Sequence, residues 1–329
     1  MYCMTHAVRI HSYGGPEVLR WESVDVGDPG PGQARVRHTA IGLNFIDTYE
    51  RTGLYPLVLP AILGREAAGV VEAVGPRVTQ VKAGDRVAYA FNASGAYSEA
   101  RVLPAERLVR IPEAVDDRQA AALMLKGMTA QMLLRQTYRV RKGNTLLVHA
   151  AVGGVGSILV QWAKHLGAKV IAVVGSEAKA QRARELGADH VLLSSEDWVT
   201  DVKNITAKQG VDVVYDSVGK DTFFGSLDSL RPRGLMVSYG NASGPAPAMA
   251  PLELSKRGSL FLTRPTLFHY IPTRASLIRA ASEMFDLVAK SVISVPIGQV
   301  YPLQDAARAH VDLETRKTVG ATVLLPNAP

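Results

Sequence analysis

The sequence has a single cysteine, Cys3, and few aromatic residues, which make up 6% of its 329 positions. One thiol excludes a disulfide within the chain and any cysteine-rich metal site. No stretch reaches the roughly 18 unbroken apolar residues that a membrane-spanning helix needs. The N-terminal residues also lack the basic segment and apolar core of a secretory signal. We therefore expect a cytoplasmic protein with no membrane partner.

Length and charge allow two domains and an anionic partner. Hydrophobic residues make up 47% of the chain, which is typical of a globular protein of this length. Lysine and arginine exceed aspartate and glutamate by 37 to 30, a formal net charge of +7. Such an excess favours anions in general and does not distinguish a phosphorylated cofactor from nucleic acid. The densest basic segment, residues 135–142, is interpreted as a solvated surface.

The rhythm of the sequence changes near residue 126. Before it, short apolar runs separated by glycine and proline predict a barrel-like β domain. From 126 to 265, strands alternate with helices, which predicts a parallel, doubly wound sheet with its ligand at the carboxyl ends of the strands. The segment 266–329, with a predicted helix over 275–290, is expected to return to the first domain. The early predicted strands cover residues 8–10, 18–24, 34–41, 68–74, 85–90 and 97–102.

A glycine-rich turn in residues 144–156 is the strongest motif. The letters N-T-L-L-V-H-A-A-V-G-G-V-G join an apolar strand to a segment with helical spacing. The amides at such a helix start attract phosphate. In the GxGxxG pattern of dinucleotide-binding folds, the first position here is Ala151, and the predicted cofactor contacts are Gly153, Gly154, Val155 and Gly156.

The tip of the next strand favours NADPH over NADH. An NAD enzyme usually places an acid there for the ribose hydroxyls, whereas this chain has Gly175. Ser176 and Lys179 follow, and these side chains can bind and neutralise a 2′-phosphate. Glu177 by itself would favour NADH. In the first turn of a helix, however, an acidic side chain can simply face solvent and interact favourably with the helix dipole.

Ordered motifs over nearly the whole chain resemble one family. These are G-G-P-E-V-L at 14–19, G-L-N-F-I-D-T-Y at 42–49, G-L-Y-P at 53–56, A-G-D-R-V at 83–87, K-G-M-T-A at 126–130, the turn itself, V-V-Y-D-S-V-G at 213–219 and R-G-L-M-V-S-Y-G-N at 233–241. The chain resembles the zeta-crystallin-type NADPH:quinone oxidoreductases, in the zinc-free branch of the medium-chain dehydrogenase/reductase superfamily. The resemblance implies an α/β protein with a GroES-like, partly open β-barrel catalytic domain (1–125 and 266–329), a Rossmann NADPH-binding domain (126–265), a cleft between them and a homodimer. Relatives tend to carry a smaller residue where this chain has Val152, and the larger side chain bears on how closely the turn can pack.

The zinc-containing branch of the superfamily offers a contrast. By resemblance, its three catalytic metal ligands correspond to Asn44, Arg65 and Lys126 here. Arginine keeps its proton and thiolates are absent, so these residues are no zinc ligand set. Without a Lewis acid, oxidation of an alcohol is poorly supported, whereas an electron-poor quinone needs only hydrogen-bond help to accept a hydride.

The resemblance also places the site residues. The catalytic candidates are Asn44, Asp47, Tyr49, Tyr55, Lys126 and Thr129. Asn44 and the two tyrosines would donate to a substrate oxygen, and Thr129 would bind the carboxamide. Two alternatives stay open: Tyr55 can instead be a packed aromatic, and Asp47 either orients Lys126 or closes a local turn.

Further cofactor contacts follow from the same resemblance. They are Phe45, Ile46, Thr48, Met132, Ser217, Tyr239, Gly240, Asn241, Thr263, Arg264, Pro265 and Arg316. Arg316 would reach the adenine-side phosphate, or it is surface charge beside Lys317. Where relatives can carry an adenosine-contacting tyrosine, this chain has Ser194. His149, at the end of the strand before the turn, is interpreted as a structural histidine.

Two other functions stay open. An enzyme of the same fold can reduce the C=C bond of an enal or enone instead of a quinone. Members of this family have also been associated with AU-rich RNA and with a structural role in the eye lens. The sequence has no RNA-binding module and no interleaved basic and aromatic stripe, so RNA is the weaker alternative.

Overall fold

The computed structural model describes residues 4–326. Cys3 and the two residues before it therefore lie outside the described part of the chain. The fold divides into two compact units. The first holds the residues up to Met128, the segment Ile271–Ala289 and the residues from Val295 onward. The second holds Thr129–Tyr270 and Lys290–Ser294.

The strands are mostly short. They are β1 (Met4–Ile10), β2 (Arg20–Asp25), β3 (Gln33–Leu43), β4 (Ala61–Ile62), β5 (Glu66–Val74), β6 (Arg86–Ala90), β7 (Ala100–Pro104), β8 (Val109–Arg110), β9 (Thr145–His149), β10 (Lys169–Val174), β11 (His190–Leu193), β12 (Val211–Asp216), β13 (Leu230–Ser238), β14 (Phe261–Thr263), β15 (Ile297–Pro302) and β16 (Ala321–Leu325). The strand predicted over 18–24 begins only at Arg20, because a proline starts a 3₁₀ turn at Pro16–Val18.

The helices lie mainly in the second half of the chain. They are α1 (Phe45–Arg51), α2 (Asp117–Gln131), α3 (Gly154–His165), α4 (Glu177–Glu185), α5 (Trp198–Ile205), α6 (Phe223–Asp228), α7 (Leu252–Lys256), α8 (Leu267–Tyr270), α9 (Arg274–Ala289) and α10 (Ala306–Glu314). A π-helical turn, Met132–Thr137, follows α2 directly. Among residues 4–326, no helix combines the length and apolar character that a bilayer crossing requires.

The first unit contains two sheets around one apolar core. The larger sheet has the order β15-β16-β3-β5-β6-β8, with β7 also paired to β3, and the smaller has the order β2-β1-β4. Leu43, Leu63, Tyr89 and Tyr97 are among the buried core side chains. The register of β3 against β5 sets Gly42 opposite Glu66, and this places a carboxylate beside the start of α1.

The second unit is built on a six-stranded parallel sheet in the order β11-β10-β9-β12-β13-β14. The central strands are buried along nearly their whole length, which explains why they are continuous apolar runs and do not alternate. Their carboxyl ends share one edge of the sheet. The predicted α/β class, with a GroES-like domain and a Rossmann sheet, is confirmed.

A buried histidine in the first unit makes stability depend on pH. His38 is fully buried, its Nδ1 lies 2.7 Å from the Ser98 carbonyl oxygen, and its Nε2 lies 3.0 Å from the Tyr89 hydroxyl. A neutral ring satisfies both contacts, with Nδ1 donating and Nε2 accepting. Burial lowers the pKa of His38 to about 4. The unfolded chain therefore binds more protons than the folded chain between about pH 6.5 and pH 4.

We expect His38→Gln to flatten the dependence of stability on pH in this window. The contribution of the neutral imidazole is complete above about pH 6.5 and is lost as pH falls towards about 4, by roughly 3 kcal/mol in total. Urea unfolding of both proteins at pH 7 and pH 4.5 measures the difference. An unchanged drop between the two pH values in the variant would contradict this assignment.

Candidate active site

The glycine-rich turn joins β9 to α3 as the sequence predicts. Gly153 lies directly before the helix, and Gly153, Gly154 and Val155 are half-buried at the turn. A Cβ on Gly156 would lie 2.2 Å from the Ala150 carbonyl oxygen, so no larger residue fits there without a backbone shift. Val152 is buried and leaves this close approach intact. The turn therefore offers backbone amides at a helix start to an anion.

The tip of β10 carries the residues predicted to select NADPH. Gly175 and Ser176 are exposed, and Ser176 caps α4 by accepting a hydrogen bond from the Lys179 amide at 3.4 Å. A Cβ on Gly175 would have Ser194 Oγ, at 3.9 Å, as its nearest neighbour. A side chain would thus fit at Gly175, and the absence of an acid there is not a steric requirement.

The loops after β12, β13 and β14 carry most of the other predicted cofactor-binding residues of the second unit. A Cβ on Gly240 would lie 2.4 Å from the Ser217 carbonyl oxygen, so these two loops touch through their backbones. Arg264 donates from Nη1 to the Gly240 carbonyl oxygen at 2.8 Å. Tyr239, Asn241, Thr263 and Pro265 are half-buried in the same loops. Met132 differs from them because it is fully buried in the π-helical turn.

In the first unit, Glu66 joins Asn44 to Lys126. Lys126 Nζ lies 2.6 Å from Glu66 Oε1, and the same oxygen accepts from Asn44 Nδ2 at 2.8 Å. The Leu125 amide donates to the other carboxylate oxygen at 2.6 Å. Lys126 is 5% exposed, so a buried ammonium is held in one place by a fully buried carboxylate. Glu66 was absent from the predicted site, although it follows Arg65 directly.

The side-chain amide of Asn44 supports this cluster, and its predicted contact with a substrate oxygen stays a prediction. Besides Glu66, its Nδ2 has the Gly42 carbonyl oxygen at 3.4 Å, so both amide hydrogens have acceptors. The position of Glu66 opposite Gly42 depends on strand pairing between β3 and β5.

Asp47 closes a local turn, which is one of its two predicted roles. Its Oδ2 accepts from the Asn44 amide at 2.9 Å and from the Tyr97 hydroxyl at 2.9 Å. Lys126 pairs with Glu66 instead. Burial and the nearby Glu50 carboxylate raise the pKa of Asp47 to about 7.

The remaining predicted residues of α1 and of the loop after it contact one another. Tyr49 is 9% exposed and packs edge-on against Tyr55, with ring centroids 5.4 Å apart, and Tyr55 is half-buried. Phe45 and Ile46 are half-buried, while the Thr48 hydroxyl donates to the Phe45 carbonyl oxygen at 2.8 Å. Tyr55 thus packs against an aromatic neighbour, and its predicted contact with substrate stays a prediction.

A second buried ion pair joins α1 to Arg65. Arg65 Nε donates to Glu50 Oε1 at 2.8 Å, and Nη2 contacts the same oxygen. Ser94 Oγ donates to the other oxygen at 2.6 Å. Glu50 is fully buried and Arg65 is 8% exposed. In the described range, no group of three or more His, Cys, Asp or Glu side chains is arranged to hold a metal ion.

Two further predicted site residues are Thr129 and Arg316. Thr129 is half-buried and begins the second unit, whereas Lys126 belongs to the first. Arg316 is exposed, has a left-handed backbone with φ of 61° and follows α10 in the first unit. The predicted contact of Arg316 with the cofactor stays a prediction.

His149 is tied into a buried network, as expected of a structural histidine. Its Nε2 lies 3.0 Å from Ser226 Oγ, which donates to Asp216 Oδ2 at 2.7 Å. Burial lowers the pKa of His149. Asp216 Oδ1 accepts from the amides of Val218 and Gly219, so the network links the strand before the glycine turn to the loop of Ser217.

Comparison with known proteins agrees with this geometry. The family models for an alcohol dehydrogenase GroES-like domain and a zinc-binding dehydrogenase match residues 30–113 and 154–290. A quinone oxidoreductase of Pseudomonas aeruginosa is 52% identical over 98% of this chain and all of that protein. A 2-haloacrylate reductase of a Burkholderia species is 50% identical over 99% of this chain and all of that protein.

Solved structures give the same answer. The crystal structure of Escherichia coli quinone oxidoreductase complexed with NADPH has a TM-score of 0.96 and 49% identity, and covers 98% of this chain and all of that one. The resemblance found in the sequence motifs is confirmed. The chain belongs to the quinone oxidoreductase family, within the medium-chain dehydrogenase/reductase superfamily.

Proposed function

We propose that this protein reduces quinones with NADPH. The observation that carries the proposal is the buried Lys126 ammonium, fixed by Glu66 at the position where zinc enzymes of the superfamily have a metal ligand. A fixed positive charge in a dry site stabilises negative charge that develops on a substrate oxygen. A quinone oxygen gains such charge when hydride arrives, and the named relatives at about 50% identity support this substrate class.

The residues of the second unit fit NADPH. Gly156 and Gly240 allow the turn and the loop of Ser217 to pack tightly against the chain's own backbone, and the amides of residues 154–156 open α3. Ser176 and Lys179 would hold the 2′-phosphate, while Ser217, Tyr239 and Asn241 would line the ribose and nicotinamide. When bound, NADPH supplies the hydride. The roles of Thr129, Met132 and Arg316 are proposed from the family resemblance alone.

On the substrate side, Lys126 would donate a hydrogen bond to the quinone oxygen. Glu66 keeps the ammonium in place, and Asn44 keeps Glu66 in place through its amide. Tyr49 and Tyr55 supply the aromatic wall of this site. The domain roles implied by the family resemblance are catalysis for residues 1–125 and 266–329 and cofactor binding for residues 126–265, and we place Lys126, at the boundary, on the catalytic side because it belongs to the first unit.

The direct test is consumption of NADPH with 1,4-benzoquinone or 9,10-phenanthrenequinone, followed by loss of nicotinamide absorbance. We expect oxidation that depends on protein and quinone together. NADH should support a slower reaction at equal concentration. Protein that binds NADPH but shows no quinone-dependent oxidation would refute the proposal.

A second candidate is reduction of a C=C bond next to a carboxylate. The observation that favours it is the 50% identity to the 2-haloacrylate reductase. Hydride addition to such a bond develops negative charge on the carboxyl oxygens, which Lys126 can stabilise in the same way. Comparison of kcat/KM for 2-chloroacrylate and for 1,4-benzoquinone decides between the two substrates.

We further propose that the protein is a homodimer joined at β14. This strand is last in its sheet, and no strand of residues 4–326 pairs with its outer edge. Phe261 is 59% exposed and Leu262 is 38% exposed. An unpaired edge with apolar side chains is suited to pairing with the same edge of a second copy.

We expect Phe261→Glu to produce monomers, because two carboxylates would then meet across the two-fold axis. Sedimentation velocity should show half the mass of the wild-type species. Val58→Glu, at a side chain that is 94% exposed in the first unit, is the matched control and should leave the mass unchanged. A Phe261→Glu variant with wild-type mass would place the interface elsewhere.

AU-rich RNA and a cytoplasmic location stay predictions. The net charge of +7 supports RNA binding only in a general way. RNA binding that survives moderate salt and competition by NADPH would favour a specific site.

A further inference from the structure

A buried polar network connects α1 to α10 within the first unit. It consists of Asp47, Tyr97, His310, Arg51 and Glu314. The Tyr97 hydroxyl lies 2.9 Å from Asp47 Oδ2 and 3.1 Å from His310 Nε2. Arg51 Nη1 lies 3.0 Å from His310 Nδ1 and donates to Glu314 Oε2 at 3.0 Å, and Nη2 donates to Glu314 Oε1 at 2.8 Å.

The hydrogens of this network can point in only one direction. Arg51 is a donor and never an acceptor, so His310 Nδ1 must accept. Burial and the Arg51 charge lower the pKa of His310 to about 3, and the ring is therefore neutral with its hydrogen on Nε2. Nε2 then donates to the Tyr97 oxygen, which leaves the Tyr97 hydrogen for Asp47 Oδ2. The charge of Arg51 thus orients donors towards Asp47.

Asp47 needs these donors because its surroundings disfavour its charge. The Asp47 carboxyl group is fully buried, and Glu50 lies one turn further along the same helix. Asp47 Oδ1 makes no hydrogen bond to any residue of the described chain. The groups that favour the ionised form are the Asn44 amide, the Tyr97 hydroxyl and the Arg65 guanidinium. Of these, Tyr97 is the one that the network controls.

We propose that the buried polar network keeps the Asp47 carboxylate ionised and hydrogen-bonded to the backbone N–H of Asn44. Through this bond the network positions Asn44 and Glu66 around Lys126. Asn44 is the link, since its amide nitrogen binds Asp47 while its side chain binds Glu66. Tyr97, His310 and Arg51 are positioning residues in this scheme. Their effect on turnover rests on the proposed quinone reduction, whereas their effect on the Asp47 carboxyl does not.

The chain supplies a matched control for a test. Tyr89 and His38 form a second buried tyrosine–histidine pair in the same unit, with 3.0 Å between hydroxyl and Nε2. Neither makes a contact to Asp47. Tyr97→Phe and Tyr89→Phe each delete one buried hydroxyl, so a general loss of stability should be similar in both variants.

We expect Tyr97→Phe to raise the titration midpoint of the Asp47 carboxyl by about one pH unit, because one of its charge-favouring donors is lost. Carbon-13 NMR of aspartate-labelled protein without cofactor measures this midpoint, and Asp47→Asn identifies the signal. Tyr89→Phe should leave it unchanged. Equal midpoints in all three proteins would overturn the proposal, whatever the enzyme activity is.

Turnover gives the second readout. With the midpoint moved from about 7 to about 8, the ionised fraction at pH 7 falls about fivefold. The kcat of Tyr97→Phe with 1,4-benzoquinone should fall accordingly at pH 7 and recover near pH 9, whereas that of Tyr89→Phe should follow the wild-type profile. A deficit in Tyr97→Phe that is the same at every pH would mean a structural role only.

If Tyr97→Phe does not fold, two substitutions of His310 test the proposal instead. His310→Gln retains a donor towards Tyr97, and His310→Leu removes it. A midpoint near wild type in the first variant and a raised one in the second would support the proposal. Unchanged midpoints in both would overturn it.

Discussion

The double substitution Lys126→Met with Glu66→Gln should lower kcat for quinone reduction about 10²–10³-fold, with little change in NADPH affinity. Lys126 is the one buried cation that we place next to the substrate oxygen, and methionine keeps the length of the side chain without its charge. Glutamine keeps the length of the Glu66 side chain and one acceptor oxygen, which can serve either the Asn44 side chain or the Leu125 backbone amide. Removing both charges together avoids an unpaired buried carboxylate, which by itself would destabilise the fold by about 3–5 kcal/mol.

The control is Lys164→Met, which removes a lysine paired with Asp189 at 2.6 Å on a partly exposed surface. Its kcat should equal that of wild type. Stopped-flow oxidation of NADPH gives kcat, and quenching of protein fluorescence gives the cofactor affinity. A folded double variant with kcat within about threefold of wild type would remove Lys126 from the chemistry.

The second large effect concerns the choice of cofactor. Lys179→Ala should weaken NADPH about 10- to 100-fold and leave NADH nearly unchanged, because a charge-assisted hydrogen bond to the 2′-phosphate is worth about 1.5–3 kcal/mol. Addition of Gly175→Asp should reverse the preference. The structure has room for that side chain, and its carboxylate would repel the phosphate while accepting from the ribose hydroxyls of NADH.

Lys169→Ala is the matched control for this experiment, since Lys169 is an exposed lysine at the opposite end of β10. Dissociation constants for both cofactors should be measured in all variants at one ionic strength. Parallel losses for NADPH and NADH in Lys179→Ala would show that this lysine does not read the 2′-phosphate.

The sequence predicts some parts of the site better than others. The glycine turn could be recognised because strand, turn and helix are contiguous, and because Gly156 must pass within reach of the Ala150 carbonyl. The parallel sheet follows from apolar runs at regular intervals. In both cases the signal is a local pattern within each segment, although the sheet itself also pairs strands that are distant in sequence, such as β9 and β12.

The charge pairs could not be predicted in this way. Lys126 is 60 residues from Glu66, and His310 is 213 residues from Tyr97. Such groups come together only through tertiary packing, which brings α2 to Glu66 on β5 and returns α10 to the first unit. For the same reason nothing local in the sequence indicates that Glu66 accepts from both Asn44 and Lys126.

The Arg65–Glu50 pair has a consequence for the history of this site. It lies where zinc enzymes of the superfamily have a metal-binding histidine, and both partners are buried. A change of Arg65 to histidine would leave Glu50 buried without its cation, at a cost of about 3–5 kcal/mol before any metal could bind. A histidine at position 65 would therefore be tolerated only together with a change of Glu50, because replacing Arg65 alone leaves a buried, unpaired carboxylate.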